Sequence, residues 1–302
     1  MNASYSYVLL LLLIFPKQEA AAFQVPDYIP VRFFGEKGAE PGMMSAPEGI
    51  SVDNEGNIYV ADTGNNRIQK FLPDGRVLRL YGGFGWSEEQ FDTPVSIHAE
   101  TGLDVYVTDK NNHRVVRFDR SLNYISMMYV NNFDDETFRF QFPAALTVTE
   151  LKDMFVIDSE NARVVRISAF GTPEAQFGGY MSAGIPLSRP EYIAEYANNK
   201  IYVTDTGQNN IAIYDYFGNY IGHLSNENMQ SPGGLCVDRK GFLYVCDPEA
   251  HNIKIFDEKN RLISEINNSF FNAPVDIACL ENMLYIVDRD TSRIFVYEII
   301  YN

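Results

Sequence analysis

The sequence predicts an all-β fold, a six-bladed β-propeller made of four-stranded antiparallel blades. Three observations predict it: one strand–loop–strand segment recurs six times, its copies lie 41 to 49 residues apart, and they are rich in Val, Ile, Tyr and Phe. The first copy is NIYVADTGNNRIQKF at residues 57–71, and the last is MLYIVDRDTSRIFVY, which begins at Met283. Repeats of this length are typical of propeller blades, not of helical or leucine-rich solenoids.

Each repeat begins with a proline and closes its second strand with an aspartate. In the first repeat we expect strands at Gly49–Val52, Ile58–Ala61, Ile68–Phe71 and Val77–Tyr81, separated by Asn, Asp, Gly and Pro turns. The second strands are almost continuously apolar, which indicates burial on both faces, as in a blade between two others. The prolines are Pro47, Pro94, Pro143, Pro190, Pro232 and Pro274, and the aspartates are Asp62, Asp109, Asp158, Asp205, Asp247 and Asp288.

The sixth repeat lacks a fourth strand, because only EIIYN follows its third strand at Ile294–Tyr297. An unassigned strand-like segment, VRFFG at Val31–Gly35, precedes the first repeat. We therefore predict that this N-terminal strand completes the last blade and closes the ring, which removes exposed sheet edges.

The composition and the N-terminal segment limit the expected cellular location and the expected classes of partner. The chain has 302 residues and a formal net charge of −16, which disfavours nucleic acid and anionic membrane surfaces as partners. Residues 1–22 resemble a signal peptide, with an apolar run at Val8–Phe15 that is too short to span a bilayer and small residues at Ala20–Ala22. We expect residues 23–302 to form one secreted or periplasmic domain, monomeric and not inserted in a membrane.

Three cysteines are present, Cys236, Cys246 and Cys279. The first two fall on neighbouring strands of one repeat at diagonal positions, which are too far apart for an unstrained disulfide. We predict three buried small side chains, with a disulfide as the open alternative.

The segment APEGISVDNEGNIYVADTGNNRIQKF, Ala46–Phe71, resembles the consensus of the NHL repeat family of six-bladed β-propellers. The resemblance extends over essentially all of residues 23–302. It implies the fold more strongly than a function, because propellers host unrelated activities. Members of the family act as protein-binding or RNA-binding modules, as extracellular sensor domains and, in one branch, as a zinc-dependent peptide-amidating lyase.

Two sets of loops are expected on one face of the ring, and we call it the loop face. Aromatic side chains on loops over a rigid scaffold suit a recognition surface, although the same residues can instead fold down as plugs. On this basis we predict a non-catalytic module that binds a protein, peptide or glycan. The candidate binding residues are Phe84, Trp86, Phe91, Phe133, Phe138, Lys110, His113 and His251, and Phe140 and Tyr180 are further loop aromatics.

The alternative is a metal-dependent lyase or lactonase-like hydrolase with its site at the central channel. Glu48 and Glu191 follow their prolines in opposite repeats, and Asp276 follows Pro274 by two residues. These carboxylates are candidate ligands for calcium, a hard cation, with a solvated acidic channel mouth as the plain alternative. His98 is expected to line the channel, but four histidines so distributed do not make a histidine-rich zinc site. No catalytic residues are assigned, and the repeated aspartates and arginines are expected to be structural.

Overall fold

A computed structural model describes residues 25–301, apart from residues 101, 130–132, 134, 198 and 226. Within these residues the chain forms six four-stranded antiparallel sheets, and the innermost strands of neighbouring sheets contact one another around a closed ring. The six-bladed propeller is confirmed. The predicted signal peptide, residues 1–22, lies outside the described residues.

The strands of blades 1 to 5 follow one another along the chain, from the innermost to the outermost strand of each blade. Blade 1 has β4 (Gly49–Val52), β5 (Ile58–Asp62), β6 (Arg67–Phe71) and β7 (Val77–Gly82), and blade 2 has β8 (Pro94–His98), β9 (Asp104–Asp109), β10 (Arg114–Asp119) and β11 (Tyr124–Tyr129). Blade 3 has β12 (Pro143–Val148), β13 (Met154–Asp158), β14 (Arg163–Ile167) and β15 (Pro173–Phe177), and blade 4 has β16 (Pro190–Tyr196), β17 (Lys200–Asp205), β18 (Asn210–Asp215) and β19 (Tyr220–Leu224). Blade 5 has β20 (Leu235–Val237), β21 (Leu243–Asp247), β22 (Asn252–Phe256) and β23 (Leu262–Asn267).

Blade 6 combines the two ends of the chain. Its strands are β24 (Pro274–Leu280), β25 (Met283–Asp288), β26 (Arg293–Ile300) and the N-terminal β1 (Asp27–Phe34). Strand β1 pairs antiparallel with β26, with Phe33 opposite Phe295 and Phe34 opposite Ile294. The predicted closure of the ring is therefore confirmed.

Small elements complete the fold at the loop face. A short parallel pair joins β2 (Glu36–Lys37) to β3 (Met43–Met44), and 3-10 turns span Thr63–Asn65 and Glu136–Phe138. No helix among the described residues is long and apolar enough to cross a membrane.

The hydrophobic core lies between the blades. Each of the six interfaces between neighbouring blades holds its own cluster of buried apolar side chains. The second strands β5, β13 and β21 are buried at every position, as their continuous apolar sequences predict.

All three cysteines are free thiols. Cys236 lies opposite Tyr244 in the β20–β21 ladder, so Cys246 is its diagonal neighbour. Cys236 and Cys246 are buried as predicted, whereas Cys279 is only partly buried.

Candidate functional site

The closing aspartates organise the loop face. Each accepts backbone N–H bonds from the residues just before the proline of its own blade: Asp109 Oδ1 accepts from Asp92 N at 2.8 Å, and Asp205 accepts from Ser188 and Arg189. These carboxylates fix the loop that enters each blade, because a buried carboxylate needs several donors. Their predicted structural role is confirmed.

The repeated arginines hold the same loops from the other side. Arg114 is fully buried; its Nε lies 2.7 Å from Asp109 Oδ2, and its guanidinium donates to the carbonyl oxygens of Trp86 and Ser87, both at 2.9 Å, and of Gln90. In blade 3, Arg163 pairs with its closing aspartate and donates to loop carbonyls in the same way. Arg67, Arg114 and Arg163 thus each pair with a carboxylate, whereas the guanidinium of Arg293 lies 4.9 Å from the centroid of the Phe33 ring.

The loop between blades 1 and 2, residues 83–93, presents two large aromatic side chains to solvent. Phe84 is 68% exposed and Trp86 is 79% exposed. The backbone beneath them is ordered by a bridge between Phe84 and Phe91 and by Asn112 Nδ2, which donates to Gly85 O at 2.8 Å. The loop is thus a hydrogen-bonded platform that carries exposed aromatic rings.

The other candidate aromatics have turned inward. Phe91 and Phe140 have no exposed surface, Phe133 is 5% exposed, and Phe138 is half-buried against the cluster between blades 2 and 3. Their assignment to an exposed recognition surface is corrected: they anchor the loops, since each ring has an apolar pocket between blades to fill. Tyr180, on the loop that leads into blade 4, remains 87% exposed.

His113 and His251 occupy the same left-handed turn position in blades 2 and 5, with φ of 52° and 54°. His113 Nδ1 accepts from Phe142 N at 3.2 Å, and His251 Nδ1 contacts Asn272 O at 2.5 Å. Both rings therefore connect one blade to the loop that enters the next. Asn66 makes the corresponding bond in blade 1, which indicates a structural use of this position.

A polar pocket of about 280 Å³ forms the mouth of the channel on the loop face. Glu48, Glu191, Lys110 and Arg289 line it, and Arg289 lies 3.6 Å from Glu48. Burial raises the pKa of Glu48, against the attraction of Arg289. Lys110 is thus the one predicted cationic binding residue that the structure places at the mouth.

Tyr192 separates the mouth from the interior of the channel. Its side chain borders both cavities, and its hydroxyl donates to Glu48 Oε2 at 3.5 Å from the opposite blade. The equivalent innermost positions of the other blades carry Gly49, Ser96, Ala145, Gly234 and Asp276. Tyr192 could have been found in the sequence, because it is the single large aromatic residue at a repeat position otherwise occupied by small or acidic residues.

Below Tyr192 lies an interior chamber of about 90 Å³. His98 lies on the innermost strand β8, as predicted, and borders the chamber; burial lowers its pKa to about 4. Its Nε2 is buried without a hydrogen-bond partner among the described residues. Burial raises the pKa of Asp276 to about 8. Glu100 also lines the chamber but is exposed, and it was missed in the sequence because it lies two residues past the strand.

The structure does not bring the three predicted metal ligands together. Glu48 and Glu191 line the mouth, whereas Asp276 lies in the chamber below and accepts from Ile50 N at 2.9 Å and Ile277 N at 2.9 Å. Across the described part of the chain, no three His, Cys, Asp or Glu side chains are grouped as a metal site requires. Calcium binding itself stays a prediction.

Comparisons with known proteins agree with this fold. The NHL repeat model matches residues 44–71, 91–118 and 229–256, in blades 1, 2 and 5. A segment of 47 residues is 53% identical to E3 ubiquitin-protein ligase TRIM71 of Rattus norvegicus; it covers 16% of this chain and only 6% of that protein. The chain thus spans a small fraction of the curated relatives that it matches.

Two solved structures resemble the whole ring. Virginiamycin B lyase of Staphylococcus aureus aligns with a TM-score of 0.64 and 13% identity, over 91% of this chain and 99% of that one. A gluconolactonase of Xanthomonas campestris aligns with a TM-score of 0.65 and 14% identity, over 92% and 99%. At this identity the likeness shows the fold alone.

Proposed function

We propose that this chain, a six-bladed β-propeller with NHL repeats, is an exported non-catalytic module that binds a protein, peptide or glycan with its loop face. The observation that carries the proposal is the pair Phe84 and Trp86, which are exposed on a loop held by the buried Arg114. Exposed aromatic residues are enriched among the side chains that dominate binding energy.

The fixed backbone of this loop matters as much as its rings. A ligand that meets a mobile loop must order it on binding, at about 0.5–1.5 kcal/mol for each immobilised side chain, and a pre-ordered loop avoids most of this cost. Residues 83–93 are held by backbone bonds, by Asn112 and by Arg114, so little ordering remains. The NHL repeats support a binding role, because binding residues are often found on loops that a regular scaffold holds in place.

Thr93, at the end of this loop, also lines the polar mouth of the channel. Glu48, Glu191, Lys110 and Arg289 offer charges of both signs that suit the polar rim of an interface. Export is proposed from the apolar run and small residues of the first 22 positions.

The test is a double variant, Phe84→Ala with Trp86→Ala, compared with Phe170→Ala. Phe170 is 96% exposed on the turn between β14 and β15, which the blade topology places on the opposite face. Immobilised protein is exposed to secreted extract of the source organism and to a glycan array. We expect the wild type and Phe170→Ala to retain one ligand that the double variant loses; equal capture by all three contradicts the proposal.

A second candidate is a metal-dependent lyase or lactonase-like hydrolase at the channel. The observation that favours it is the chamber, where His98 Nε2 lacks a protein partner among the described residues and Asp276 has a raised pKa. Such groups cluster at active sites. Elemental analysis separates the two candidates: no stoichiometric calcium or zinc, together with no thermal shift on adding EDTA, would remove the enzyme.

A further inference from the structure

Two of the three cysteines meet between blades 5 and 6. Cys236 lies on β20 and Cys279 on β24, the innermost strands of the two blades, and both border the interior chamber. Cys279 packs against the cluster of buried side chains that contains Cys236. Cys279 Sγ also donates to the carbonyl oxygen of Val237, the residue after Cys236, at 3.3 Å.

The backbones of the two blades are also in direct contact at this point. Gly234 N donates to Val275 O at 2.7 Å, and a Cβ at Gly234 would lie 2.6 Å from Asp276 Cα. Cys236 lies between Gly234 and Val237, so contacts to β24 fix its position on both sides. A disulfide forms only where two backbones approach closely, and the innermost strands of blades 5 and 6 do so here.

We propose that Cys236 and Cys279 form a disulfide that joins the innermost strands of blades 5 and 6 when the protein meets a low-molecular-weight disulfide. Cys246 has no part in it and stays a free thiol. The bridge closes a long loop of the chain that contains the rest of blade 5, so it restricts the unfolded chain and stabilises the fold. It also strengthens the shortest innermost strand, the three-residue β20.

The exchange proceeds in two balanced steps. Cys279, the less buried of the two residues, attacks one sulfur of the small disulfide as a thiolate, breaks its S–S bond and releases one small thiolate. The Cys236 thiolate then attacks Cys279 Sγ and breaks the mixed S–S bond, which releases the second small thiolate. The two protein thiols lose two electrons, the small disulfide gains them, and the two cysteine protons pass to the two released thiolates.

Burial makes the second step slow near neutral pH. Burial raises the pKa of Cys236, and Cys279, Glu100 and Asp238 around it act in the same direction. Because the thiolate is the nucleophile, the rate of closure should rise about tenfold for each pH unit below that pKa.

The test uses the full purified chain incubated with oxidised glutathione at pH 7 and pH 9, followed by unfolding in denaturant, alkylation with N-ethylmaleimide and intact mass measurement. We expect three alkylated thiols before oxidation and one after it, with faster change at pH 9 and with Tm higher by roughly 5 °C until a reductant is added. Cys246→Ala should close the same bridge and leave no alkylated thiol. Cys279→Ser should show neither the bridge nor the gain in Tm.

Cys236→Ser separates the two steps, because it should trap one glutathione on Cys279. The measurement is repeated on protein refolded in a glutathione redox buffer, because glutathione can reach both thiols before they become buried. Three alkylated thiols in the wild type after both treatments, or peptide mapping that finds Cys246 in a bridge, would overturn the proposal. Reduced Cys279→Ser should have the Tm of the reduced wild type, since serine can also donate to Val237 O.

Discussion

The substitution Arg114→Met tests whether a buried cation holds the exposed aromatic loop. The change keeps the length of the apolar stem but removes the guanidinium, which has no exposed side-chain surface. It breaks the 2.7 Å pair with Asp109, also fully buried, and removes the guanidinium donor of the carbonyl oxygens of Trp86, Ser87 and Gln90. Ser87 O keeps the backbone N–H of Gln90 as a donor.

The loss in the free energy of unfolding depends on how well Asp109 is paired once the guanidinium is gone. Removal of one partner from a buried ion pair destabilises a protein by about 3–5 kcal/mol. Asp109 keeps two donors, Asp92 N and Asn112 Nδ2, both at 2.8 Å, so we expect the lower part of that range, about 3 kcal/mol. For a domain of this size that corresponds to a decrease in Tm of roughly 6–10 °C.

Trp86 is the single tryptophan of the chain, so its fluorescence reports on this loop alone. Steady-state anisotropy of Trp86 should fall in Arg114→Met while circular dichroism stays that of a β-propeller. Capture of the ligand should weaken although Arg114 itself is buried.

The matched control is Arg163→Met in blade 3. Arg163 pairs with Asp158 at 2.8 Å and donates to Thr137 O and Arg139 O at 2.7 Å, but it holds a different loop. It should lower the free energy of unfolding by a similar amount and leave the Trp86 anisotropy unchanged. An unchanged anisotropy in folded Arg114→Met, or an equal fall in both variants, would refute the reasoning.

Three other predictions follow from burial and pairing. Deletion of residues 25–34 removes β1 and exposes the β26 edge, so light scattering should show aggregation and Tm should fall. Asp276→Asn should flatten the pH dependence of the free energy of unfolding. Because the pKa of Asp276 is raised to about 8, the folded state binds this proton more tightly than the unfolded state, and the wild type loses stability as pH rises from about 4 to 8, by at most about 1.4 kcal/mol per pH unit. Urea-melt profiles of the two proteins that superimpose across this pH range would contradict this. Lys254→Met should lower the free energy of unfolding by about 3 kcal/mol, because Lys254 Nζ is buried 3.4 Å from Asp247, whereas the exposed Lys259→Met should change it by less than about 0.5 kcal/mol.

Lys254 also shows how the fold tolerates a missing arginine. Blade 5 has Asn252 where blades 1, 2, 3 and 6 have arginine, and the sequence predicts a broken series of arginines. Lys254 lies two residues after Asn252 on the same face of β22, and its Nζ approaches both Asp247 and Asn252. In blade 5 the cation beside the closing aspartate, Asp247, is therefore Lys254 instead of an arginine.

The sequence by itself determined the repeat architecture. Apolar second strands, turn residues and the spacing of prolines act locally, and six copies reinforce one another, so the blades and their strands were predictable. Even the long-range closure could be inferred, since the last repeat lacked a strand and Val31–Gly35 was left without a partner. His98 was likewise placed on the channel by its position in the repeat.

Tertiary structure alone decided the chemistry of the loop face and the channel. Phe84 and Phe91 lie in one loop, yet one is exposed and the other buried, because irregular backbone has no period that assigns a side chain to a face. Tyr192 meets Glu48 across the ring, and Cys279 packs against the cluster that contains Cys236 between blades, at separations along the chain that no local pattern encodes. Local physics thus specifies the strands and their pairing, whereas closing the ring determines which side chains from distant repeats come into contact.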